Sequence, residues 1–163
     1  MTSRALPAIE PEEILHDLLG LDPGLRREAY YGERSIFYNA GGVAPLGTIF
    51  ASIKDRDGPK DKASNLSREG VYRFAFCVTR PQFAERFGET PRRPPKGGVV
   101  NLVGHDLTRL GELTPHPVYA WMRWVQILSP TRAQYESLKP LLEESLAMVK
   151  AKWAQTRRGS SST

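Results

Sequence analysis

The chain has a single cysteine, Cys77, among its 163 residues, which excludes an intrachain disulfide and a thiolate metal cluster. It also lacks long apolar runs, and no stretch approaches the roughly 18 consecutive apolar residues of a membrane span. The N-terminal MTSRALPAIEPEEILHDLLG carries prolines and acidic residues where a signal peptide needs a basic start and an unbroken apolar core. These absences predict a cytoplasmic protein with no membrane partner. Motifs for nucleotide cofactors and serine nucleophiles are missing too: GxGxxG, GxxxxGKS/T and GxSxG do not occur. No cofactor is expected.

Histidine is scarce, with three in all, and two of them precede an aspartate, as His16-Asp17 and His105-Asp106. Paired His-Asp units serve metal-dependent phosphohydrolases inside all-helical bundles, where facing helices bring the ligands together. This chain has strand-like runs instead, so no metal site is expected. The segment DRDGPKD at residues 55–61 lacks the glycine and glutamate positions of a calcium loop, and its Asp57-Gly58 reads as a turn.

What the chain does have is an excess of positive charge, +5 at neutral pH. The excess is local: residues 80–98 hold five Lys or Arg against two Glu, and residues 131–163 hold six against three. The first cluster is the connector RRPPKGG at residues 92–98; the second gathers Lys150, Lys152, Arg157 and Arg158 near the C-terminus. Such patches attract polyanions by counterion release without conferring specificity.

A chain of this length forms one domain and buries about two-thirds of the surface its unfolded form exposes. PEEILHDLLG (residues 11–20) reads as a helix, with proline in the first turn, Glu12 and Glu13 at the positive end of the dipole and Gly20 at the stop. LDPGLRREAYYGE reads as a turn region around Asp-Pro-Gly. Three β-rich runs follow, RSIFYN (34–39), LGTIFASIK (46–54) and GVYRFAFCVT (70–79), and sequential strands of this kind pair antiparallel. Residues 55–69 form a connection too long for a tight hairpin, of the kind that is either mobile or functional. PQFAERFG (81–88) is a short helix, and residues 99–113 fit a strand with a turn or a short helix. The end of the chain is helical and interrupted at Pro140, with Leu142, Leu146, Val149 and Trp153 on one face. Residues 1–156 are expected to form the domain, and 157–163 a disordered basic, serine-rich tail.

Residues 116–128, HPVYAWMRWVQIL, concentrate two tryptophans, a tyrosine, a histidine and an arginine. As a strand over 118–128 the segment is apolar on both faces, as a central strand should be. Alternatively Pro117 opens one helical turn and the strand starts at Arg123. Large aromatics at strand spacing contribute burial, yet Arg123 beside Trp121 and Trp124 also offers a guanidinium among rings, suited to a flat anion.

Two stretches resemble known proteins. RWVQIL followed by LLEESLAMVKAKW is similar to the end of the MmcQ/YjbR group of small bacterial proteins, where a Trp-bearing strand precedes a helix of pattern LLxxSYxLVxxK. Leu141, Leu142, Ser145, Leu146, Val149 and Lys152 fall on that pattern, with Leu146 in the tyrosine position. Phe50-Ala51 resembles the Phe-Ala after a Gly-Lys turn in that group, although Gly47-Thr48-Ile49 stands here without the lysine. HPVYAW with the final helix is similar to a family of uncharacterised bacterial domains, from YGERSIFYN onward. The resemblance implies a CyaY-like α+β fold, an antiparallel sheet packed by N- and C-terminal helices. The MmcQ/YjbR group is often labelled DNA-binding, which adds a nucleic acid to the expected partners.

The expectation that follows is a binding domain without catalysis, for a nucleic acid or a small anionic metabolite. Its ligand would meet Arg73, His116, Trp121 and Arg123, with Lys150, Lys152, Arg157 and Arg158 as an auxiliary nucleic-acid surface. The alternative is a small enzyme with His105 or His116 as general base in a pocket beside residues 55–69. A sheet face buried against a second copy is also compatible, so the chain is expected to be a monomer or a homodimer.

Overall fold

A computed structural model of the chain describes residues 6–96 and 98–161. The fold is α+β, as expected: one six-stranded, wholly antiparallel sheet in the order β1-β2-β3-β4-β6-β5. The strands are β1 (Leu25–Tyr30), β2 (Glu33–Tyr38), β3 (Thr48–Lys54), β4 (Arg73–Cys77), β5 (Thr114–Pro115) and β6 (Trp124–Leu128). Helices α1 (Pro11–Leu19), α3 (Arg132–Ser137) and α4 (Lys139–Ser161) come from the two ends of the chain, and α2 (Arg80–Phe87) follows β4.

Each helix starts where its sequence supplies a start. Pro11 opens α1 with Glu12 and Glu13 in its first turn, and Ile14, Leu15 and Leu18 form the buried stripe. Thr79 with Gln82 and Thr131 with Gln134 make reciprocal capping boxes for α2 and α3. Leu142, Leu146, Val149 and Trp153 of α4 are buried, as helical spacing requires. Helix α4 runs on through Ser161, so residues 157–161 are helical where a disordered tail was expected. The run AKWAQTRR contains good helix formers, and the Arg157 guanidinium lies 5.2 Å over the Trp153 ring one turn back. Residues 162 and 163 of that expected tail, like the first five of the expected domain, lie outside the described residues.

The two sheet faces differ in character. Ile36, Ala51, Ile53, Phe74, Phe76, Val125 and Ile127 form one face of the central strands and pack beneath the helices, with Phe74 against Tyr135 and Tyr38 edge-on to Trp153. The opposite face carries a row of small and polar residues across five strands: Ser35, Ser52, Ala75, Gln126 and Thr114 occupy successive register positions. Residues 55–69 fold over part of this second face. Asp61, Ser64 and Leu66 are buried there, and Asp57 pins the turn by accepting the Leu66 N–H at 2.8 Å.

Strand β1 was hidden by its composition. Only Leu25 of LRREAY is buried, and without an apolar alternation only pairing to β2 defines it as a strand. The bend between β2 and β3 depends on Gly47, at φ +102°, where an added Cβ would stand 2.2 Å from the Tyr38 carbonyl oxygen. Among the described residues no helix is long and apolar enough to cross a membrane.

Candidate functional site

The segment HPVYAWMRWVQIL divides in two. Ala120–Met122 form a single 3-10 turn, and the strand begins at Trp124, so the alternative with a turn after Pro117 is the arrangement found. Arg123 makes the corner, with φ +61°; its N–H bonds to the Ala120 carbonyl and its carbonyl accepts the Val78 N–H. All five residues of β6 are buried, whereas Tyr119 and Met122 are about half exposed.

His116 organises this turn. The Val118 and Tyr119 N–H groups donate to its Nδ1 at 3.0 and 3.1 Å, as they would to a capping side chain. Nδ1 is thereby an acceptor, and the neutral ring carries its proton on Nε2. Burial, then the positive charge of Arg73 and Lys54, holds the imidazole well below its ordinary range, with Asp61 opposing.

Across from His116 stands the β1–β2 hairpin. Tyr31 and Gly32 form a two-residue turn with φ of +50° and +75° between the paired Tyr30 and Glu33. Glycine suits such a turn; a tyrosine there is uncommon and strained. The geometry stands Tyr31 almost fully in solvent, with its ring edge-on to Tyr30 at 4.5 Å between centroids.

Between hairpin and turn lies a cleft of about 270 Å³. Its floor is Ser35, Ser52, Glu33, Ile49 and His116, and its walls are Tyr30, Tyr31, Tyr119, Met122 and Trp124. Ser52 donates its hydroxyl to one Glu33 oxygen at 3.0 Å. Burial raises the Glu33 carboxyl above its ordinary range despite that bond and the nearby charges of Lys54 and Arg73. Ser35 is 1% exposed, and its Oγ has no hydrogen-bond partner among the described residues.

Beside the cleft floor lies a closed polar network. Arg73, also 1% exposed, donates to both Asp61 oxygens at 2.5 and 2.8 Å and through Nε to Gln126 at 2.6 Å. Lys54 adds a bond to Asp61 at 2.9 Å, and Gln126 also accepts from Ser64 and donates to Thr114. The positive charges of Lys54 and Arg73 thus both meet the Asp61 carboxylate.

The profile of a family of unknown function, DUF6194, matches residues 9–158. The chain belongs to the DUF6194 family. The match agrees with the sequence resemblance to an uncharacterised domain family; it does not extend to the MmcQ/YjbR group, whose likeness rests on the residues quoted above. Comparison with curated proteins and with solved structures gave no match.

In this DUF6194 domain the residues expected at a ligand are dispersed. His116 lines the cleft. Arg73 is enclosed with Asp61 beneath residues 55–69, none of which lines the cleft. Trp121 instead takes the Arg93 guanidinium over its ring at 4.5 Å, which docks the proline-rich connector. The buried Arg123 Nε has no partner among the described residues. Lys150 pairs with Asp22 at 2.7 Å, and Lys152, Arg157 and Arg158 follow it along α4. His105 stacks edge-on to Phe87, away from His116.

Sequence reading missed Glu33, Ser35, Ser52 and the tyrosines. Ser52-Ile-Lys54 alternates polar with apolar and Glu33-Arg-Ser35 is polar throughout, both ordinary signatures of a solvent-facing edge. The pair Tyr30-Tyr31 before Gly32 was the one available signal, since two large aromatics at a turn seldom serve a core.

Proposed function

We propose that this domain binds a small organic ligand in the cleft between the β1–β2 hairpin and the His116 turn. The observation that carries this reading is Ser35 Oγ: a buried hydroxyl with no partner among the described residues, on the floor of a cleft walled by three exposed tyrosines and the buried Trp124. Leaving such a group unmatched costs on the order of 1–3 kcal/mol, which a ligand hydrogen bond would recover. Mostly apolar walls with a few convergent polar groups are the usual composition of a small-molecule site. The lining contains no Lys or Arg and one carboxylate, Glu33, which favours a ligand without net negative charge over the anion expected from the sequence.

Binding rather than catalysis is favoured by His116. Its Nδ1 is committed to two backbone N–H groups and its basicity is depressed, which suits a fixed hydrogen-bonding floor better than a general base.

A fragment screen by amide proton–nitrogen correlation spectra tests the reading. Binding fragments should move the signals of Ser35, Ser52 and Trp124 together, and Tyr119→Ala, which removes a wall without touching the core, should weaken them. Hits that leave these signals unmoved, or that ignore Tyr119→Ala, would overturn the assignment.

A further inference from the structure

Four aromatic rings and one carboxylate face the cleft, and no cationic side chain does. Tyr30 and Tyr31 stand edge to face on the hairpin side, and Tyr119 and Trp124 form the opposite wall. Ring faces carry negative potential and attract ammonium groups, an attraction that grows when the ion is desolvated.

On the floor, Ser52 uses one oxygen of Glu33, and no described residue donates to the other. The neighbouring cations do not neutralise this carboxylate directly: Lys54 and Arg73 each make their ion pair with Asp61. His116 holds its ring neutral. The cleft is therefore a half-buried negative charge surrounded by rings, with the unpartnered Ser35 Oγ as a further acceptor.

Resting on the reading that the cleft is a ligand site, we infer that its ligand is a small organic cation. The ammonium group lies between the tyrosine and tryptophan rings, with its N–H groups directed to Glu33 and Ser35. An ammonium supplies three donors and no acceptor, which matches a floor offering a carboxylate and an orphan hydroxyl. The raised Glu33 carboxyl is the mark of a carboxylate buried without its counter-ion, and a bound cation would lower it back toward its ordinary range.

Three probes with one frame separate the classes: phenethylammonium, phenylethanol and phenylacetate, titrated into the full chain at neutral pH while the amide signals of Ser35, Ser52 and Trp124 are followed. The cation should bind at least about tenfold more tightly than the alcohol, as a charge-assisted contact predicts, and phenylacetate should bind more weakly still. Glu33→Gln should bring cation binding down to the level of the alcohol while both probes still shift the Trp124 signal, a readout that a folding defect would not give. If the alcohol or the acid shifts these signals as strongly as the amine, the cation is overturned and the cleft reading stands. If none of the three moves them, both are overturned.

Discussion

The Arg73 guanidinium and the Asp61 carboxylate form a two-bond pair, 2.5 and 2.8 Å, between the centre of the sheet and the middle of the 55–69 connection. In sequence that connection could be either mobile or functional. The pair makes it the cover of the second sheet face, since the guanidinium of β4 has its ion-pair partner only when the loop is closed.

Breaking one side of this pair should therefore be costly. Asp61→Asn preserves shape but leaves a guanidinium buried without its counter-charge, and a loss of about 3–5 kcal/mol in urea denaturation is expected. Burial alone would raise the Asp61 carboxyl, but bonds and charge from Arg73, with Lys54, outweigh it and hold the group well below its ordinary range. A depressed carboxylate stabilises the fold above its unfolded value, near pH 4, and loses that contribution as the pH falls further. Wild type should lose stability on acidification below about pH 4 more steeply than Asp61→Asn. A change under about 1 kcal/mol at neutral pH would show that water replaces the pair.

Glu33 has the opposite sign. Burial raises its carboxyl, Ser52 lowers it less, and Lys54 and Arg73 on the one hand and Asp61 on the other act on it from β3, β4 and the loop, with neutral His116 across the cleft. A raised carboxyl favours folding below its unfolded value, near pH 4.3, and the contribution disappears as pH rises through the folded value. Glu33→Gln should thus raise the melting temperature of the free protein at neutral pH by a few degrees at most, and the gain should vanish in acid. A lower melting temperature at pH 7 would contradict a carboxylate held without its counter-ion.

His116 should stay neutral across the physiological range. Its depressed basicity means that the unfolded chain takes up a proton that the folded chain refuses, so stability declines as pH falls below about 6.5. Nitrogen chemical shifts of the ring should report an unprotonated Nδ1 and a protonated Nε2 from pH 8 down to pH 5. A titration centred near pH 6.5 would instead restore the general-base alternative.

Gly47→Ala tests the bend that brings β3 against β2. The methyl group would meet the Tyr38 carbonyl oxygen at 2.2 Å with the backbone at φ +102°, and no side chain can move to admit it. A loss above about 2 kcal/mol is expected from chemical denaturation. A near-neutral result would mean that the bend has room to rebuild.

Much of this architecture could be read from the residues in order. Apolar period-two runs located β2, β3 and β4, and Pro11 and Pro140 marked helix starts, because these signals act between residues a few positions apart. Strand β1, whose charged residues carry no burial pattern, and the two-residue β5 escaped, and the turn over Ala120–Met122 was one of two local readings that fitted equally. The polar residues of the candidate site were legible only as a solvent face. Whether Ser35 and Glu33 meet water or a neighbour depends on what covers them, and that cover comes from residues about 80 positions away, at His116 and Tyr119. Local pattern determined which residues alternate and where helices begin. The tertiary fold alone decided that Arg73 is closed in by Asp61 while Glu33 faces a cleft without its own counter-ion, because charge pairing is a matter of distance in space and not of spacing along the chain.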